Sequence, residues 1–293
     1  MVAKKISVEF RLAFPAIVIF LLFLILPRES LAKDSDELQI HVIDVSKGDA
    51  MVLHQPGSCS ILIDAGQLFY ADRVINKLNE LGVRTLDMVI ISHPDDDHYG
   101  GLFDILPKFP ATKFFDNGYE KERNAQFDEY KKLRDLQPYR VLAYGDELQC
   151  GKLKMRVLYT FDSQKFMGLK TNDTSLVIMT SYEDFRMIHM GDLEHDGEDI
   201  LMEINSDLKA NIIKIGHHGA KGSSSKAMLT RVSPDYAVIS SSGRCSSLLC
   251  EPDETVLNLL TDLGISYSRT DQDGNIKIIV NHDGFNVIDA SKQ

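Results

Sequence analysis

The stretch IISHPDDDHYGG, residues 90–101, sets two histidines and three aspartates in six positions, behind an apolar run and ahead of a glycine pair. An apolar run such as Met88–Ile91 suits a buried strand, so polar residues just past it stand at the rim of a sheet, where ligands are usually held. In extended chain, alternate residues share a direction. His93, Asp95 and Asp97 can therefore converge, with His98 turning in from the following bend. Three adjacent carboxylates repel unless something positive neutralises them, and a divalent cation does so while accepting imidazole as well. Gly100-Gly101 would let the next helix start tight against such a site. The plain alternative is a solvated acidic turn in which Asp caps a helix beginning near Tyr99.

Two more strand ends carry the same chemistry. IHMGDL presents Asp192 after an apolar run, and IKIGHHG presents His217 and His218 after another. A lone His-His pair is as readily a satisfied core feature, but acid and imidazole recurring at three strand ends point to bound metal.

Around these ends, LQIHVIDV (38–45), AMVLHQ (50–55), CSILIDAG (59–66) and LDMVIIS (86–92) read as strands, rich in Val and Ile and bounded by Gly or Pro. YADRVINKLNELGV reads as a helix, with Val74, Leu78 and Leu81 at helical spacing and Gly82 as its stop. The charged segment from Tyr119 to Leu136 reads as a solvent-exposed helix. YRVLAYG (139–145), LKMRVLYT (153–160) and TSLVIMTS (174–181) follow as strands, and FRMIHMGDL (185–193) closes a hairpin through Tyr182-Glu183-Asp184. A second series comprises NIIKIGHHG (211–219), a helix near Ser225–Val232, YAVISSS (236–242), a helix over Asp253–Leu263 and GNIKIIV (274–280). Strands alternating with helices, without a long linker, predict one α/β domain of mixed sheets covered by helices.

The 293 residues are 44% hydrophobic, ample for a large core. Residues 1–32 stand apart: Lys4, Lys5 and Arg11 precede an uncharged apolar stretch, Leu12–Leu26, and Ser30-Leu31-Ala32 has the small-x-small form of a cleavage site. They read as a secretory signal followed by a domain over 33–293, exported to the periplasm or beyond. An uncleaved membrane anchor is the alternative, short for a span of about 20 residues. Four cysteines in an exported chain permit disulfides. Cys245 with Cys250 is the natural local pair, and Cys59 with Cys150 would be long-range. The formal charge of −11 becomes −13 without the segment, which carries four basic and two acidic residues. Nucleic acid would need a local basic strip or bound cations to approach so acidic a chain.

Taken together, IDVSKGDAMVL (43–53), ILIDAG (61–66), ISHPDDDHYGGL (91–102), NDTSLVI (172–178), HMGDL (189–193), IKIGHHGAKGSSS (213–225), DYAVIS (235–240) and TDQDGNIKI (270–278) resemble the metallo-β-lactamase superfamily. The resemblance is closer to the hydrolase-like, ComEC-type domain of DNA-uptake competence proteins. It implies a four-layer αβ/βα sandwich of two mixed β-sheets with a metal site at one edge. It also implies two divalent metal ions, zinc or manganese. His93 and Asp95 would hold one, Asp97, His98 and His217 the other, and Asp192 would bridge them. Asp64 would orient the signature loop from behind. Where the superfamily has a further histidine, this chain has Asn172-Asp173, so Asn172 is a further candidate ligand. Carboxylate in place of imidazole tilts preference from zinc toward manganese or magnesium. Two more departures are Ser46-Lys47 in place of Gly-Gln and Cys250-Glu251-Pro252 in place of Gly-His-Pro.

Two such ions would share a hydroxide, polarise a phosphoryl or carbonyl oxygen and stabilise the leaving oxygen. Asp97 would orient or deprotonate the water, and His218 would hydrogen-bond the substrate. GAKGSSSK (219–226), with Lys221, Ser223 and Ser224, would suit a phosphate. The activity implied is that of a phosphodiesterase or nuclease acting on nucleic acid. The alternatives are hydrolysis of a small ester, lactone or lactam, and a non-catalytic binding module whose first metal site is incomplete.

Overall fold

Runs of aliphatic and β-branched residues bounded by glycine make the strands, and amphipathic stretches between them make the helices. The computed structural model describes residues 37–121, 125–161, 170–245 and 250–289, so the segment read as a secretory signal lies outside the described residues. The first series is β1 (Leu38–Val42), β2 (Ala50–Gln55), β3 (Cys59–Ala65), α1 (Ala71–Glu80), β4 (Met88–Ile90), α2 (Asp96–Tyr99), α3 (Leu102–Ile105), β5 (Phe114–Asp116), α4 (Ala125–Asp135) and β6 (Tyr139–Val141). Then come β7 (Glu147–Cys150), β8 (Leu153–Tyr159), β9 (Val177–Tyr182), β10 (Phe185–His189), α5 (His195–Ile204), β11 (Ile212–Lys214), α6 (Lys226–Val232) and β12 (Tyr236–Ile239). The last series is α7 (Glu254–Asp262), β13 (Ser266–Arg269), α8 (Thr270–Asp273), β14 (Ile276–Asn281) and β15 (Gly284–Asp289).

These strands form two mixed sheets. The first runs β15-β14-β1-β2-β3-β4-β5-β6, and the second runs β13-β12-β11-β10-β9-β8-β7. One core lies between them, with Ile40, Leu53, Ile61 and Ile90 from the first sheet facing Val157, Ile178, Met187 and Ile212 from the second. α1, α3 and α4 cover the outer face of the first sheet through Val74, Leu78, Ile105 and Tyr130. α5, α6 and α7 cover the second through Leu201, Leu229 and Leu260. The result is the four-layer αβ/βα sandwich. Cys59, opening β3, is bonded to Cys150, closing β7, so one disulfide joins the two sheets, while Cys245–Cys250 ties a short loop.

The segment expected to be a solvent-exposed helix forms α4, exposed along its outer face but covering core with its inner one. Helix α4 buries Phe127 and Tyr130, and Tyr130 donates a 2.9 Å hydrogen bond to Asp116. Its many charges hide an apolar face only a few residues wide. Strands β5, β7 and β13, of three or four residues each, are too short to stand out in the sequence. No helix among the described residues is long and apolar enough to cross a membrane.

Candidate metal centre

Loops leaving both sheets meet at one edge, and backbone hydrogen bonds join them. The amide of Asp49 donates to Asp97 O, Leu176 to Ser92 O, and His217 to Gly191 O. Close approach depends on glycine: a Cβ on Gly48, at φ +121°, would lie 2.3 Å from Asp97 O, and one on Gly101 would lie 2.1 Å from Ala65 O. The glycine pair following the signature histidine thus lets the chain lie tight on β3, as its position suggests.

The loop after β4 carries His93, Asp95, Asp97 and His98. Asp64, itself at φ +55° in β3, accepts hydrogen bonds from the Ser92 amide (2.7 Å), the Ser92 hydroxyl (2.8 Å) and His98 Nδ1 (2.9 Å). The bond at Nδ1 turns His98 Nε2 toward Asp192 Oδ2, at 3.2 Å. His93 Nε2 lies 3.6 Å from Asp95 Oδ2 and 3.9 Å from the same Asp192 oxygen. The second sheet supplies Asp192 after β10 and His218 after β11. His218 Nε2 stands 3.5 Å from Asp192 Oδ2 and 3.6 Å from Asp97 Oδ2, while its Nδ1 is 3.6 Å from Asp49 Oδ1. Behind it, the buried Lys214 ammonium donates to Asp49 Oδ2 at 2.8 Å.

Burial opposes charge on Asp192, Asp97, Asp95, His98 and His218, yet their neighbours' fields prevail. His218 and His98 hold Asp192 well below the usual carboxylate range, and their contacts bring Asp97 down to about 2. Conversely, against burial, Asp192, Asp49 and Asp97 push His218 up to about 10, and Asp192 and Asp64 push His98 well above its ordinary value. Asp95 is also held low, despite burial, by His93 and by Lys121, whose ammonium donates to it at 2.5 Å. Protons on imidazole and a divalent cation neutralise the same carboxylates and therefore compete for them.

The residues fit such a cation. His93 Nε2, His98 Nε2, both ring nitrogens of His218 and Asp192 Oδ1 are buried without a hydrogen-bond partner, although buried polar atoms are nearly always paired. The 3.2 Å approach of His98 Nε2 to Asp192 is close but misaligned for a hydrogen bond. Two sets, His93–His98–Asp192 and Asp97–His98–His218, each bring three ligand atoms within 4.8 Å of one another. They share His98 and adjoin at Asp192, consistent with two divalent ions. Nitrogen and carboxylate donors together suit zinc or manganese.

Several expected residues stand elsewhere. The structure brings His218 rather than His217 into these sets. Both have left-handed backbone, φ +44° and +54°, and this sharp turn sends neighbouring side chains apart. His217 Nδ1 lies 3.2 Å from Glu194 Oε1, and Asn172 Nδ2 donates to the same Glu194 oxygen at 3.0 Å. Asn172 thus joins His217 and Glu194 rather than the central histidines. In the loop expected to cradle a phosphate, Ser223 and Ser224 are buried. The Ser223 hydroxyl donates to Gly216 O and Ala220 O, and the amides of Ser224 and Ser225 donate to the buried carboxylate of Glu198. An internal acid takes the place of the phosphate, and Lys221 is exposed. Sequence reasoning also missed Asp49, although GDA at the end of a tight turn was a signal, and it missed Glu194 and Glu198.

The chain is 30% identical over 270 residues to ComE operon protein 3 of Bacillus subtilis (strain 168) and 29% identical over 245 residues to competence protein ComA of Neisseria gonorrhoeae. Each match covers 83% of this chain but only 33% and 32% of the relative, so the chain spans about a third of their length. Among solved structures, the metallo-beta-lactamase fold protein YhfI from Bacillus subtilis superposes with TM-score 0.52 at 14% identity, covering 80% of this chain and 96% of that one. Igni18, a metallo hydrolase from Ignicoccus hospitalis, gives 0.51 at 12% identity over 82% and 98%. These two likenesses concern the fold. The family model for the metallo-beta-lactamase superfamily matches residues 43–244, a span holding every side chain of the centre, and the chain belongs to that superfamily as a metal-dependent hydrolase.

Proposed function

We propose that the chain is an exported metal-dependent phosphodiesterase acting on nucleic acid. His93, Asp95 and Asp192 would hold one divalent cation, and Asp97, His98, His218 and Asp192 the other. Bound there, two such ions supply Lewis acidity toward a phosphoryl oxygen and activate water. The chain's own groups do the rest. Asp97 orients the attacking water and accepts its proton, Asp64 and Asp49 fix the faces that His98 and His218 present, and Lys221 offers a charge to the substrate from the loop above.

One observation carries the reading. In a chain of net charge −11, ammonium groups gather at this edge, with Lys47 Nζ 3.9 Å from Asp97 and Lys121 bonded to Asp95. Local cations of this kind draw an anionic substrate in. The competence proteins among the relatives support nucleic acid as its class, and two disulfides support an oxidising compartment. The overall acidity favours a second reading, hydrolysis of a small ester, lactone or lactam.

Protein stripped with a chelator and reloaded with manganese or zinc is expected to take up two equivalents by elemental analysis and to cleave bis(p-nitrophenyl) phosphate and DNA. Asp97→Ala and His218→Ala should each lower turnover by roughly 10³-fold or more, and His217→Ala by less than about tenfold. Turnover of nitrophenyl esters or a β-lactam with no phosphodiester cut would overturn the proposal. So would uptake of a single ion with no turnover, which marks a binding module.

A further inference from the structure

Next to the centre lies a cleft of about 470 Å³ whose lining includes Lys47, Gln67, Tyr70, Ser242, Arg244 and Glu251. Lys47 connects the two, its ammonium 3.9 Å from Asp97 Oδ2 and 3.6 Å from Glu251 Oε1. Glu251 is buried, and that oxygen has no other partner, so its charge is directed at Lys47. The two acids fix the inner side of the ammonium. The lysine side chain remains 44% exposed, so donors are left for an anion in the cleft. Arg244 is a second, exposed cation of the same lining.

Tyr70, closing the turn Leu68–Tyr70, is the aromatic residue of the lining. The Arg73 guanidinium lies 4.9 Å from its ring centroid, and Phe69 meets it edge-on at 5.7 Å. Phe69 is 90% exposed, more than any other large apolar side chain among the described residues. The backbone that carries it packs on Gly100, where a Cβ would come within 2.8 Å of the Leu68 amide nitrogen. A single exposed apolar residue needs no explanation. An exposed ring packed on a cleft-lining tyrosine, in a cleft that also carries two cations and adjoins a hydrolytic centre, offers partners for the two surfaces that a nucleotide presents to a protein, a flat base and a phosphate.

We propose that this cleft is a nucleotide subsite in which Lys47 and Arg244 hold the phosphate next to the scissile one and the attached base stacks on Phe69. The proposal rests on the phosphodiesterase reading and adds the part of the substrate recognised beyond the bond cut. Stacking accepts any base, so the subsite favours nucleotides over other phosphates without choosing among sequences. Glu251 is a positioning residue in this scheme, acting through Lys47.

The manganese-loaded chain can be titrated by calorimetry with thymidine 5′-monophosphate, deoxyribose 5-phosphate and inorganic phosphate, none of them a diester. Thymidine monophosphate is expected to bind about 5- to 100-fold more tightly than deoxyribose phosphate. Phe69→Ala, at so exposed a position, should not disturb folding, and should abolish that preference by weakening only the nucleotide. Lys47→Gln should weaken all three ligands, by roughly tenfold, with the preference kept. Equal binding of nucleotide and sugar phosphate, no binding of either, or a preference that survives Phe69→Ala would overturn the proposal. Hydrolysis of bis(p-nitrophenyl) phosphate, which has no nucleobase, separates the two readings. Turnover without base preference removes only the subsite, and base preference without turnover removes only the phosphodiesterase.

Discussion

Asp64 ties the signature loop to β3 through three hydrogen bonds, two to Ser92 and one to His98. Asp64→Ala would leave those buried donors unpaired, so a loss of about 2–4 kcal/mol in urea unfolding is expected, with metal affinity down by roughly 10- to 100-fold in titration. Asp64→Asn, which keeps an acceptor for Ser92, should recover part of the stability and less of the affinity. His189 provides a pH signature. Burial, with the field of Lys214, lowers its pKa from 6.5 to about 3. The folded value lies below the unfolded one, so the unfolded chain takes up the proton first as pH falls. The native state keeps this contribution in full above about pH 6.5 and loses it progressively toward pH 3, by about 3 kcal/mol at pH 4. Thermal unfolding from pH 7 to 4 should show the decline, and His189→Gln, able to keep the bond to Thr180, should flatten it.

At the scale of elements, short connections rather than strands make the centre. The link between β1 and β2 delivers Lys47 and Asp49 only because Gly48 turns at φ +121° against the Asp97 carbonyl. Gly48→Ala introduces both a strained φ and a clash with backbone. A loss of about 2–3 kcal/mol is expected, and turnover should fall further than stability, since Lys47, Asp49 and Asp97 all shift. A variant with wild-type unfolding and turnover would show that this link does not set the site. The link from β11 to α6 is held by Glu198, whose carboxylate burial pushes up in pKa even as the Ser224 and Ser225 amides bind it. The phosphate-like look of GAKGSSSK is real chemistry, satisfied from within.

For the whole molecule, the Cys59–Cys150 bond clamps one sheet to the other across a sequence separation of 91, whereas Cys245–Cys250 closes a separation of 5. Chain-entropy reasoning assigns about 4–5 kcal/mol to the first and about 2 kcal/mol to the second. Replacing Cys59 and Cys150 with alanine should therefore lower the melting temperature more than replacing Cys245 and Cys250. Equal shifts would show that the sheets need no clamp.

Local chemistry was legible in the sequence: the strand ends before His93, Asp192 and His217-His218, the amphipathic α1 and α7, and the superfamily order of motifs. Those features depend on residues a few positions apart, where periodicity and turn chemistry decide the outcome. Choosing His218 over His217 required the two left-handed backbone angles, which no side-chain pattern announces. Asp49 beside Lys214, 165 positions away, Lys47 beside Glu251, and Glu198 under the serine loop required the packing of two sheets that meet only in the folded chain. The sequence by itself determined the fold class and the kind of donor atoms; the tertiary structure alone decided which of them converge, because charge pairs of long sequence separation are set by sheet order and loop closure rather than by neighbours along the chain.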